Sequence, residues 1–404
     1  MKKISLLLIL ALLCSLCACG KEEPVVVQEP VESTARGESA RPAAVLTEAP
    51  TATEAPTETV GEGISWHFEG DTLTLTGKGS MEDYELFSTP WDEESISFSV
   101  KKLVVDEGIR YLGKFAFAAC CNLVEVTLPS SLRHIGESCF ADCMALTEPV
   151  FPEGLMCIDA NAFAGCGLTK LTFPSTLAEI GANCFANCVD LRSVSADEGL
   201  LTVGEDAFLG CDELTVSIPA GSPCESTLKN MCKLKTEGKA TGTLSWNGEG
   251  WTLQKGVLTV SELTDYTATG GTSAPWSCLV SLVERIELSE GITRVGDYSF
   301  WNCGNCKSVS IPEGVESIGD YAFGACAELR ELKLPSTLKS IGYGSFSFCS
   351  ALTSLTLPEG LESVGADAFV LCTGLTEVKK PAGLTKIGAG AFNFTGENTG
   401  ELVE

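Results

Sequence analysis

Ten of the 18 phenylalanines in this chain stand at a fixed interval. They are Phe117, Phe140, Phe163, Phe185 and Phe208, then Phe300, Phe323, Phe346, Phe369 and Phe392, and each step within a set is 23 residues except one of 22. Four residues before each Phe stands Gly (Asp159 once), and five before stands Ile, Val or Leu. Three after stands a cysteine in nine cases, from Cys120 to Cys372, with Thr395 as the exception. A period of this length marks a solenoid, whose coils bury their apolar sides only by stacking on one another.

One unit runs Leu123-x-x-Val126-x-Leu128-Pro129-x-x-Leu132-x-x-Ile135-Gly136-x-x-Cys139-Phe140-x-x-Cys143. Its first part alternates, as a short strand with one buried side does. Pro129 ends that strand because proline has no N–H for a ladder. A Pro-Ser-Ser, Pro-Ser-Thr or Pro-Glu-Gly turn follows, Leu132 and Ile135 turn inward, and Gly136 reverses the chain. The Ala-Phe-x-x-Cys stretch is expected to form a single helical or 3₁₀ turn that plugs the coil with its ring. The residue before each Phe is always Ala, Cys or Ser, which suits close coil-to-coil approach. The cysteine column reads as compact hydrophobic packing. Zinc needs four ligands converging on one point, whereas a column spreads thiols about 4.8 Å apart.

This unit resembles the BspA-like class of leucine-rich repeat in bacterial surface proteins. The matching elements are the L-x-x-V-x-L-P strand, the L-x-x-I-G turn and the A-F-x-x-C segment, over residues 103–219 and 283–395. The Asn ladder of general leucine-rich repeats is missing; Pro-x-Gly, Pro-x-Ser or Pro-x-Thr stands in its place. The resemblance implies a curved solenoid with a parallel sheet along one side, displayed for adhesion or recognition.

The fold class expected is therefore a β-rich leucine-rich repeat solenoid with two capped arrays of five repeats. Residues 1–18 read as a signal peptide, with Lys2-Lys3 ahead of a short apolar run. Leu16-Cys17-Ala18-Cys19 resembles a bacterial lipobox, with Cys19 as the lipid attachment site. Residues 19–60 read as a disordered Pro/Glu/Thr linker. Residues 61–102 and 240–282 resemble each other: Trp66 matches Trp246, Leu73-Thr-Leu75 matches Leu258-Thr-Val260, Asp83-Tyr84 matches Asp265-Tyr266, and Pro90-Trp91 matches Pro275-Trp276. Each is read as an N-terminal β cap, covering apolar core and strand edge; the other reading is a binding head with Trp and Tyr platforms. The arrays are 103–219 and 283–395, with a connector at 220–239 and an acidic tail at 396–404. In the connector, Ser226 to Leu234 fits one short helix, and a Cys224–Cys232 disulfide is compatible with export. Setting aside Cys14, Cys17 and Cys19, 17 of the 20 cysteines remain; an odd number leaves at least one unpaired, and mostly thiols are expected.

The formal charge is −27, which excludes nucleic acid as a partner class and attraction to anionic lipid. His67 and His134, the only two histidines, are too far apart in coil order for a triad or a paired metal site. No phosphate-cradling Gly motif precedes a helix, and Asp92-Glu93-Glu94 reads as a solvated charge run. No catalytic residue, cofactor or metal is expected. The outward strand positions are small or charged, with Lys170, Glu331, Lys333, Thr356 and Lys379 as candidate contacts. Trp301 is the one odd aromatic, packed on the second cap or touching a partner. The function expected is a lipoprotein anchored in a bilayer by its acylated N-terminus, whose solenoids bind an extracellular or cell-surface protein. A glycan- or cell-wall-binding module and a spacer without a ligand are the alternatives.

Overall fold

The computed structural model describes residues 59–61, 63–93, 96–241, 244–268, 273–376, 378–379, 381–393 and 402–403. The signal segment, Cys19, the linker up to residue 58, Phe394, Thr395 and the Lys379 side chain lie outside the described residues.

The coils build three backbone ladders, and each ladder joins residues about one period apart. The first is the front sheet, built from the alternating segments. It includes Glu125–Thr127, Lys170–Thr172 and Ser193–Ser195 in the first array, then Ser308–Ser310 and Glu331–Lys333 in the second, where Leu355–Thr356 begins a separate short sheet. Its strands are parallel, with pairs such as Lys102 and Glu125, Ser193 and Lys170, and Ser308 and Glu331. Alternation works as the pattern predicts: Leu171 is buried between exposed Lys170 and Thr172. The second ladder uses the residues ending in Ile or Val, as in His134–Ile135, Cys157–Ile158 and Glu179–Ile180, and in Arg294–Val295 through Lys386–Ile387. The third passes through the phenylalanines: the Phe117 N–H donates to the Cys139 carbonyl at 2.8 Å and the Phe300 N–H to that of Ala322 at 2.7 Å.

Pro149 interrupts the first array's front sheet. It occupies the place held by Val126 and Leu171 in neighbouring coils, where it cannot donate to the ladder. Residues 146–150 form no strand, and the sheet divides there into two four-stranded halves.

The Phe segments are consecutive turns and not the helical turn expected. Among the described residues, those two before and two after each Phe are left-handed, for example Phe115 (φ 55°) and Ala119 (φ 59°), or Asn183 (φ 54°) and Asn187 (φ 61°). A left-handed residue every fourth position stops a right-handed helix. The glycine four before each Phe does something other than reverse the chain. Gly136 is outside the left-handed region, but a Cβ on it would lie 2.6 Å from the Tyr111 hydroxyl and 2.8 Å from the Leu112 carbonyl of the preceding coil. Close approach of backbones, and not φ, requires glycine there.

The rings form two face-to-face columns. From Phe117 to Phe208 successive centroids are 5.2–5.7 Å apart, and from Phe300 to Phe392 5.1–5.5 Å. The cysteines line a dry interior and also bond. The Cys166 thiol donates to the Phe140 carbonyl at 3.0 Å, Cys188 to Phe163 at 3.2 Å and Cys372 to Phe346 at 3.1 Å. A thiol thus satisfies a carbonyl one coil earlier, a role no aliphatic side chain fills. All 17 cysteines among the described residues are free.

Each column is headed by a tryptophan. Trp91 stacks on Phe117 at 5.3 Å, and Trp276 on Phe300 at 5.6 Å. Their indole N–H groups donate to the Ala116 and Ser299 carbonyls at 2.9 and 2.8 Å. Both rings are fully buried, so these segments are caps and the tryptophans are closed to a ligand. The first cap begins earlier than residue 61, since Thr59 bridges to Ser65 and Val60 is buried. Its strands Ile64–Glu69 and Thr72–Gly77 form a hairpin, and the second of them pairs in parallel with Lys102–Val105. The second cap has one strand more. Ser245–Gly248, Trp251–Gln254 and Val257–Val260 form an antiparallel meander that joins Arg285–Leu288. Hairpin register corrects one match read from the sequence. Trp66 faces Leu75 as Trp251 faces Val260, and each stands edge-on to its stacking tryptophan at 5.8 Å. Trp66 therefore corresponds to Trp251, and Trp246 belongs to the added strand.

That added strand carries the second cap onto the side of the first array. The outward column of the second ladder there reads Tyr111, His134, Cys157, Glu179 and Thr202. Cys157 is only 5% exposed because it shares an apolar cluster with Met156, Ala178, Trp246 and Trp251. The Trp246 indole N–H donates to the Thr176 carbonyl at 3.2 Å, and Arg110 pairs with Glu249 at 2.7 Å.

The connector is a closing structure of its own. Strand Thr215–Ala220 leads to a helix at Glu225–Met231, shorter than the expected 226–234, and then to strand Lys233–Lys239, which pairs back on 215–220. Cys224 and Cys232 flank that helix and are free thiols. At about 1.5 Å per residue, a helix between them holds their backbones on the order of 12 Å apart, beyond disulfide reach. In the tail, Leu402–Val403 pairs in parallel with Val378–Lys379, which in turn pairs with Leu355–Thr356.

Candidate binding surface

The front sheet of the second array carries an open groove of about 590 Å³. Strand register places Arg285, Ser308 and Glu331 in one column and Glu287, Ser310 and Lys333 in the next. Acidic and basic groups therefore alternate across the groove, with Arg330 and Glu313 at its rim. Glu331 and Lys333, both expected as contacts, meet here and are exposed. Thr356, one coil further, is exposed on the same face. Arg285, Glu287 and Arg330 were not singled out from the sequence. One 23-residue step back from Ser308 and Ser310 reaches the first two; the signal lay in the period itself.

The first array has a smaller groove of about 310 Å³, where Lys170 and Thr172 face Glu148, Val150 and Glu153. Val150 is 78% exposed, because Pro149 leaves this coil without a strand. Lys170 thus lies on a different array from Glu331 and Lys333, and the candidates do not form one site.

The turns at the edge of the front sheet are tied by side chains. Where a Glu-Gly turn, as at Glu107-Gly108 or Glu313-Gly314, is followed in the next coil by Pro-Ser-Ser or Pro-Ser-Thr, the two interlock. Glu107 accepts from the Ser130 N–H and hydroxyl at 2.9 and 3.0 Å, and Glu313 from those of Ser336 at 3.0 and 2.8 Å. In return Ser131 and Thr337 hydroxyls accept from Gly108 and Gly314 N–H groups at 2.7 and 2.9 Å. The hydroxyl of Ser336 holds the Glu313 carboxyl below the usual carboxylate range, and the backbone N–H of Ser130 does so for Glu107. The two turn types in the sequence are the two halves of this clasp.

A carboxylate ladder runs along the other edge of the second array. Asp265 Oδ1 accepts the Asp297 N–H at 3.0 Å, Asp297 Oδ1 that of Asp320 at 2.8 Å, and Asp320 Oδ1 that of Tyr343 at 2.7 Å. The Asp297 N–H, with help from Arg294, holds the Asp265 carboxyl below its usual range. Trp301 lies beside this ladder and not on the second cap. Its ring meets Tyr298 at 6.0 Å and Tyr321 at 5.5 Å.

His67 is exposed on the first hairpin, while His134 sits in the second ladder with Nε2 2.7 Å from Asp159 Oδ1. The pair is not brought together. Asp92 closes a turn by accepting from the Thr89 hydroxyl at 2.6 Å, while Glu94 and the Glu93 side chain lie outside the described residues. Among the described residues no group of three His, Cys, Asp or Glu side chains could hold a metal ion.

The geometry has relatives. Residues 97–231 and 279–398 match the model of the BspA-type leucine-rich repeat region, in six copies. A leucine-rich repeat protein of Eubacterium ventriosum is similar at 20% identity, over 84% of this chain and 95% of that one, with a TM-score of 0.38. A leucine-rich cell surface protein of Faecalibacterium prausnitzii is 21% identical over 87% of this chain and 96% of its own, with a TM-score of 0.32. A leucine-rich repeat protein of Treponema pallidum is 23% identical over 46% of this chain and all of its own, also at 0.32. No curated relative matches the sequence. More than half of the chain fits the family model, and the protein belongs to the BspA-type leucine-rich repeat family.

Proposed function

We propose that the protein is exported, is held to a bacterial membrane by acylation of Cys19, and binds an extracellular or cell-surface protein through its front sheets without performing chemistry. The observation that supports this reading most is the groove of the second array, where Arg285, Glu287, Arg330, Glu331 and Lys333 alternate in charge. Such a surface selects a partner by charge register more than by apolar area. Individual contacts are weak there, since anchors of the Trp or Tyr type are absent from that groove's lining. Many copies on one surface raise avidity without new contacts.

The test is cross-linking on intact cells followed by affinity measurement with the recovered protein. Combined Arg330→Ala and Lys333→Ala substitution is expected to weaken that partner at least tenfold while leaving the melting temperature in place. Unchanged affinity would reject the groove as the site. Anchoring is tested separately: Cys19→Ala is expected to abolish acyl incorporation and release the protein to the medium. Sugar binding on the cap tryptophans is disfavoured, because Trp66, Trp91, Trp246, Trp251 and Trp276 are all buried.

A further inference from the structure

Both arrays start with a left-handed aromatic two residues before the first Phe, Phe115 and Tyr298, and they differ from the second coil on. Two residues before each Phe, the first array places Phe115, then Ser138, Asn161, Asn183 and Asp206. Asn and Asp are the non-glycine residues that tolerate this conformation. The second array instead places Tyr298 and Tyr321 there, at φ 52° each, and puts Phe348 (φ 63°) at the position two after. Bulky aromatics in this region are strained, and such strain persists where function requires it. Tyr298 and Tyr321 form a continuous strip with Tyr343 and Trp301: Tyr298 stacks on Tyr321 at 5.1 Å, Tyr321 meets Tyr343 edge-on at 5.1 Å, and Trp301 stands against both Tyr298 and Tyr321. The strip is accommodated by the next coil, since a Cβ on Gly324 would lie 2.5 Å from the Trp301 ring. Tyr343 is 40% and Phe348 49% exposed.

We infer that this strip is a second contact surface, separate from the front sheet, and that it takes an arginine- or lysine-bearing segment of a partner protein. The warrant is charge complementarity. The carboxylate ladder of Asp297 and Asp320 runs through the residues immediately before Tyr298 and Tyr321. Asp367 accepts from the Tyr343 hydroxyl at 3.3 Å. Each Asp commits an oxygen to the protein, and Asp297 is also paired with Arg294 at 2.9 Å, whereas Asp320 remains exposed. Ring faces beside carboxylates attract cations, guanidinium above all. Trp and Tyr are also the residue types that anchor interfaces.

The test is a titration of the full chain with fluorescent deca-arginine peptide at 150 mM salt. The variant is Tyr298→Asn with Tyr321→Asn. Asn stands at this position twice in the first array, as Asn161 and Asn183, so the variant is expected to keep or raise the melting temperature. Net charge is unchanged, so diffuse attraction to an acidic protein is held constant. The double variant is expected to weaken deca-arginine at least tenfold. Lys333→Ala, in the front groove, is expected to leave this titration unaltered, which separates the strip from that reading. Wild-type affinity in the double variant would overturn the proposal. So would a loss in that variant of self-association or of binding to a neutral glycan, with the arginine titration unmoved.

Discussion

The two caps share their central construction and differ in what lies beyond it. In both, a buried tryptophan, Trp91 or Trp276, heads the ring column and donates its N–H to a carbonyl of the first coil. In both, an aspartate, Asp83 or Asp265, accepts a backbone N–H from that coil at 2.9 or 3.0 Å. Only the second cap adds the strand Ser245–Gly248, and with it Trp246, which is 4% exposed. One duplicated segment thus closes an array, and its copy both closes an array and fastens it to the one before. An end cap needs only to cover edge and core. A coupling cap needs a second apolar face, and the extra strand supplies it.

The largest effects should fall where the caps are alike. Trp91→Ala and Trp276→Ala each remove a fully buried ring and are expected to cost about 3–5 kcal/mol, as should Phe323→Ala within the column. Urea melts check this; small, equal losses at Trp91 and at exposed Glu331 would break the assignment of faces. Next comes the feature present in one cap alone. Trp246→Ala is expected to cost roughly 3 kcal/mol and to split one calorimetric transition into two, one per array, whereas Trp66→Ala should destabilise without splitting. A single transition in the Trp246 variant would show that the strand does not couple the arrays.

Acid should act on the second cap through Asp265. Its carboxyl is depressed by the Asp297 N–H and Arg294. A depressed carboxyl contributes stability above its unfolded value, about 3.9, and loses it as pH falls through the lower native value. Asp265→Asn is therefore expected to flatten the acid limb of a pH–stability curve below about pH 4. An unchanged limb would remove the carboxylate ladder from the account. The smallest effect is expected at Arg110→Ala. Its pair with Glu249 spans the arrays, but both side chains are more than half exposed, so the loss should stay below about 1 kcal/mol. A larger loss would mean that charge, and not Trp246, carries the coupling.

Much of this was legible in the sequence because a solenoid writes its geometry as a period. The 23-residue interval alone fixed the ring columns, the buried thiols, the small residues ahead of each ring and the two-array division. The capping tryptophans followed from the duplicated Pro-Trp pairs. Helical turns around the rings did not follow, since left-handed residues such as Ser138 or Tyr298 leave no mark in a hydrophobic pattern. The pairing of Trp66 with Trp246 failed because matching by order ignores hairpin register, which makes Trp251 the counterpart.

Contacts that repeat once per coil are local in a one-dimensional stack, and the sequence by itself determined them. Contacts between coils far apart in that stack obey no period. Only the tertiary structure decided that Trp246 reaches Thr176, 70 residues away, and that Cys157 is covered by a cap outside its own array. The physical reason is that such meetings depend on how whole ladders lie against each other, which no single coil encodes.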